Sequence, residues 1–166
     1  MFYVPDTTRR GRYDTYARDF GGRVTWQAAP KHKLTFSENV QWACSCYFTV
    51  SAVLAPEAAP QSRQGPMHLA QGTWSHPASN RLLFEAALSY LYQNYLVTTD
   101  APVGGIRIQD LGTGVTYGNN FGTGAQLNGQ NLSRPITQRA SISYVAGSHA
   151  LKIGEQMLDA MYLQDN

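Results

Sequence analysis

The feature that most constrains this chain is a long alternating run that follows the turn-rich residues His76-Pro77-Ala78-Ser79-Asn80. From Arg81 to Gln93, Leu82, Phe84, Ala86, Leu88, Tyr90 and Tyr92 share one parity, while Arg81, Glu85, Ser89 and Gln93 share the other. A period of two assigns each set to its own face of a strand. A strand of about 13 residues is more than twice the ordinary length in soluble proteins. A strand tilted by about 45° needs roughly 9 to 11 residues to cross a bilayer. Length therefore favours a membrane-spanning strand. Leu82, Leu83, Ala86, Ala87 and Tyr90 also fit a helical stripe, so this run taken alone leaves a helix open and its neighbours must decide.

They decide for strands. Val24, Trp26 and Ala28 alternate with Arg23, Thr25 and Gln27; after Pro30-Lys31-His32-Lys33, Leu34, Phe36, Val40 and Trp42 alternate with Thr35, Ser37, Asn39 and Gln41, interrupted by Glu38. Near the end, Ile142 and Tyr144 oppose Ser141 and Ser143, and after Gly147-Ser148-His149 the residues Leu151, Ile153 and Met157 oppose Lys152, Gly154 and Gln156, with Glu155 breaking the apolar row. No helix would segregate side chains this way.

The expectation is an all-β fold: an antiparallel up-and-down meander of about six long strands, forming an open curved segment of a larger transmembrane β-barrel. Residues 1–22 read as a loop tail leading into a strand, 23–158 as the barrel segment and 159–166 as a truncated end. Short turns fall near 30–32, 76–80 and 147–149. Long loops cover 46–66 and 94–135, with a small hairpin expected from Ile106 to Leu111 and Val115 to Tyr117. Consecutive antiparallel strands swap ends, so all the short turns should lie on one rim and all the long loops on the other, as in outer-membrane barrels.

Composition fits that reading. Only 14% of residues are charged, against roughly 25% in soluble domains, yet mean hydropathy is negative at −0.33. The polarity comes from Ser, Thr, Asn, Gln, Gly and Tyr, which suits strands with one wet and one apolar face. A net charge of +2 gives no clustered basic patch of the kind nucleic acid requires. There is no run of 18 apolar residues for a transmembrane helix. The first residues carry no apolar export signal, so an outer-membrane assignment implies a fragment.

Aromatic placement marks two interface girdles: Trp26 and Trp74 near the short turns, and Trp42, Tyr90 and Tyr92 toward the long loops. Indole and phenol rings favour the boundary where the ring body is buried and the polar atom stays wet. Between the girdles, Leu34, Phe36, Val40, Leu82, Phe84, Leu88, Ile142, Tyr144, Leu151 and Ile153 are the expected lipid-facing residues.

Catalytic chemistry is not legible. Cys44 and Cys46 cannot complete a four-ligand zinc site, and a bond between them is geometrically awkward, which favours free thiols or a bond to a cysteine elsewhere. His32, His76 and His149 read as solvated turn residues and His68 lies apart. Glu38, Glu57, Glu85 and Glu155 suggest no acid and base pair. The Gly-Thr-Gly repeats at 112–114 and 122–124 lack the lysine and helix of a phosphate loop. No enzyme activity, cofactor or metal is expected.

Three segments carry a family resemblance. Thr25 to Leu34, Gly72 to Leu83 and Ser143 to Gly154 resemble successive hairpins of a TonB-dependent outer-membrane receptor, in the branch that bears an N-terminal carboxypeptidase-regulatory-like domain. The resemblance runs from about Arg23 to the end of the chain. It implies a 22-stranded barrel of which about six strands are present, nutrient uptake across the bacterial outer membrane, and as partners the outer-membrane lipid, the remaining barrel and plug, and the TonB complex. A soluble secreted β-sandwich that binds carbohydrate or protein is the alternative. The environment of Phe36, Val40, Leu88 and Tyr90 separates the two.

Overall fold

The structure, a computed structural model, describes residues 10–100, 106–118 and 129–165, together with Val4, Asp6 and Thr8. In chain order its strands are β1 (Asp14–Ala29), β2 (His32–Cys46), β3 (Gln61–Ser79), β4 (Leu82–Thr98), β5 (Arg107–Gln109), β6 (Thr116–Gly118), β7 (Gly129–Ala146) and β8 (His149–Asp165), with a single 3-10 turn at Pro56–Ala58. The six long strands make one antiparallel sheet in the order β1-β2-β3-β4-β7-β8. It is an up-and-down meander that does not close, so β1 and β8 are its edges. β5 and β6 pair as a separate small hairpin, as their sequences suggest.

The strands are longer than the alternation indicates. β1 begins at Asp14, nine residues before Arg23, and pairs continuously with β2 from Asp14↔Cys46 to Gln27↔Lys33. β4 runs on to Thr98, β7 starts at Gly129, and β8 continues through the supposed end segment to Asp165. The long connections shrink accordingly to 47–60 and 99–128. Ladder hydrogen bonds come from the backbone, so a strand continues past the point where its side chains stop alternating.

The short turns are two residues each, at 30–31, 80–81 and 147–148. Gly147, with φ 59°, takes the first position of the last one, where a hairpin needs a left-handed residue. The other two are each preceded by a register shift, between Gln27 and Ala29 and between Pro77 and Ser79. His76 and Pro77 thus belong to β3 rather than to a turn over 76–80. A proline is tolerated there because the adjacent bulge interrupts the ladder.

All three turns lie on one rim and touch. The Lys31 ammonium donates to the Ala78 carbonyl at 2.7 Å, and the Val145 amide donates to the Arg81 carbonyl at 2.8 Å. At the opposite rim the connection after β2 folds over β6: the Ala55 amide donates to the Thr116 carbonyl and the Thr116 amide to the Val53 carbonyl, both at 2.8 Å. Here sits the small core, Cys44, Ala55, Ala58, Ala59, Pro60 and Val97. No member of the long apolar rows is among the buried residues, so among the described residues nothing layers over the middle of the sheet.

Cys44 and Cys46 are bonded to each other, contrary to the sequence expectation. Two residues apart on an extended strand the Cα atoms would be about 6.5 Å apart. At the end of β2 the backbone contracts to 5.2 Å, comfortably within disulfide range.

Candidate functional site

Antiparallel pairing puts directly opposed residues on the same face, so the register sorts the sheet into two surfaces. One row reads Trp26, Leu34, Trp74, Ala86, Ala140, Glu155 across all six strands, and the next reads Val24, Phe36, Gly72, Leu88, Gln138, Met157. Leu82, Tyr144 and Leu151 lie on this face, as do Phe84, Ile142 and Ile153. With Val40 they complete the ten residues expected on one side. Phe36 is 55% exposed, Leu88 52% and Ile153 66%. Val40 and Tyr90 are half-buried, by their in-plane neighbours and not by a second layer.

The opposite face is polar. Its rows read Thr25, Thr35, Thr73, Ala87, Arg139, Gln156 and Gln27, Lys33, Ser75, Glu85, Ser141, Gly154. Glu85 accepts from Lys152 at 2.7 Å and from Ser141 at 3.3 Å. Nearer the other rim Asn39 donates to Asp19 at 2.7 Å.

The aromatic residues occupy two levels. Trp26 and Trp74 flank Leu34 in one row, and Trp42 lies eight residues farther along β2. At about 3.4 Å per residue that is about 27 Å along the strand. Tyr92 lies one row inside Trp42. Tyr90 sits at the centre of β4, opposite Ala70 and Ile136, and not toward its end; the strand's extension to Thr98 moves it there.

Two clusters were invisible in the sequence because each joins neighbouring hairpins. At the short-turn rim, His32 and His76 stack with ring centroids 4.2 Å apart, and Trp74 and Phe84 extend the pile. The Trp74 indole N–H donates to His32 Nδ1 at 3.1 Å, and His76 Nδ1 donates to the Lys31 carbonyl at 3.0 Å. These two histidines are stacked rather than simply solvated. Within the apolar face, Glu38 lies 2.9 Å from His68 Nδ1, His68 meets Tyr92 edge-on, and the Arg134 guanidinium covers the Tyr92 ring. Glu38 therefore has a partner that its spacing did not reveal. Among the described residues no three His, Cys, Asp or Glu side chains converge on a metal position.

Neither a family model, nor a curated protein, nor a solved structure matches this chain.

Proposed function

We propose that this chain is a section of the wall of a transmembrane β-barrel in a bacterial outer membrane, belonging to a TonB-dependent receptor that takes up a nutrient, and that it acts in transport rather than catalysis. The observation that carries the barrel reading is the pairing of two asymmetries. One sheet face is an unbacked apolar band between two aromatic levels, and the connections are sorted into two-residue turns at one rim and folded loops at the other. A sheet in water has to cover such a face; a wall in lipid does not. The receptor assignment rests on the likeness of the three hairpin segments. With it come the missing barrel strands, the plug and the TonB complex as partners.

The test uses the whole chain refolded into vesicles of lipids brominated at defined acyl positions. Trp26, Trp42 and Trp74 are the only tryptophans, so their quenching reads the membrane directly. Strong quenching by bromines near the headgroups, weaker quenching by bromines near the chain ends, and little quenching by aqueous iodide are the expected pattern. Full quenching by iodide with none by bromolipid would overturn the barrel reading in favour of a soluble sandwich. Recovery of the flanking reading frame tests the receptor assignment: a plug and a TonB-contacting segment upstream support it, and an unrelated sequence rejects it.

A further inference from the structure

We propose that the polar face holds a binding site for an extended oligoanion, a linear chain of carboxylates or phosphates, seated between Arg23 and Lys33 on one side and Arg139 and Lys152 on the other. These four side chains, one each from β1, β2, β7 and β8, line a single cleft of about 610 Å³ whose floor includes Thr35, Thr73, Ser75 and Ser141. Two acidic residues line it as well, Glu85, which Lys152 already engages, and Glu155.

Arg23, Lys33 and Arg139 have no ion-pair partner among the described residues. Four cations against two carboxylates leave a surplus of two positive charges along the cleft. The sheet's other acidic side chains do not offset them. Glu38 and Asp159 stand in the rows of the opposite face, and Asp19 is held by Asn39 farther toward the long-loop rim. A cleft with a surplus of one sign of charge concentrates counter-ions of the other, and the Thr35, Thr73 and Ser75 hydroxyls supply hydrogen-bond donors to oxyanions.

The spacing selects the shape of the ligand. Lys33 on β2 and Arg139 on β7 are three strands apart, about 14 Å at roughly 4.8 Å per strand. With the four cations spread over strands from β1 to β8, a ligand carrying several oxyanions, such as an extended acidic peptide or a short polyphosphate, engages more of them at once than a single phosphate does. Arginine's fork suits bidentate contact with either group.

The experiment titrates the whole chain, folded in uncharged-detergent micelles, with hexaglutamate, tripolyphosphate and inorganic phosphate by calorimetry. Hexaglutamate or tripolyphosphate should bind at least about tenfold more tightly than phosphate, and binding should weaken as salt rises from about 20 mM to about 500 mM. Which of the two longer anions binds identifies the oxyanion. Combined R23Q/K33Q/R139Q should lose at least about tenfold, and R23Q and R139Q singly should each lose part of it. R18Q/R134Q, on the opposite face, should change affinity by less than about twofold. Equal affinity for phosphate and the longer anions, unchanged binding by the triple variant, or an equal loss in R18Q/R134Q would each overturn the site. The result is independent of the membrane reading: bromolipid quenching retained without oligoanion binding removes this site alone.

Discussion

Gly65 lies where β3 bulges away from β2, with φ +118°, and a Cβ there would sit 2.8 Å from the Gln41 carbonyl oxygen and 3.0 Å from the Trp42 ring. Both the backbone conformation and the space demand glycine. Gly65→Ala should destabilise the sheet by about 1–3 kcal/mol, measured as a lower urea midpoint in micelles with an unchanged slope. A midpoint equal to that of the parent chain would mean the bulge relaxes freely. Cys44 gives a second residue-scale prediction. Its bond to Cys46 and its near-complete burial mean that iodoacetamide adds no label to the folded chain until a reductant is supplied. Neither property was readable from Cys-Ser-Cys alone, since a regular extended strand would hold the two Cα atoms farther apart than the 5.2 Å found at the end of β2.

At the scale of the strand, what matters is which face a substitution meets. Leu88 and Ser89 are adjacent in β4 and point to opposite surfaces, beside Gly72 and Gln138 in one case and Gln71 and Thr137 in the other. Leu88→Arg should cost about 2 kcal/mol in a bilayer, where a cation meets hydrocarbon, and Ser89→Arg less than about 0.5 kcal/mol. Unfolding titrations in lipid compare them; equal costs would show that neither face is in hydrocarbon. The Lys152–Glu85 pair should matter little, because both side chains are substantially exposed. Lys152→Ala is expected to cost under about 1 kcal/mol by the same measurement. Alternation made the sorting into two faces legible: the register keeps the alternating apolar residues together on one face, because parity survives any error in strand ends. The ends themselves were not legible. From Asp14 to Gly22 and from Asn94 to Thr98 the side chains lose their alternation while the backbone ladder persists. The Glu38–His68 and His32–His76 contacts were hidden for a related reason, since each requires the β2-to-β3 register across a loop.

As a whole molecule the sheet is open, with β1 and β8 as its two edges. Among the described residues β1 and β8 each present an unpaired backbone edge, and an exposed apolar face lies between them. In water these surfaces pair with other copies. Sedimentation without detergent should therefore show large aggregates, and a micelle-forming detergent should disperse them. A monodisperse monomer in plain buffer would contradict the open-sheet description. The sorting of connections has its own consequence for what the chain can carry. Each bend at the tight rim is only two residues long and is braced by the next bend, so a peptide tag spliced between Gly147 and Ser148 should abolish refolding. The same tag placed between the exposed Val50 and Ser51 should be displayed without harm, which makes that loop the natural place to graft an epitope or a label.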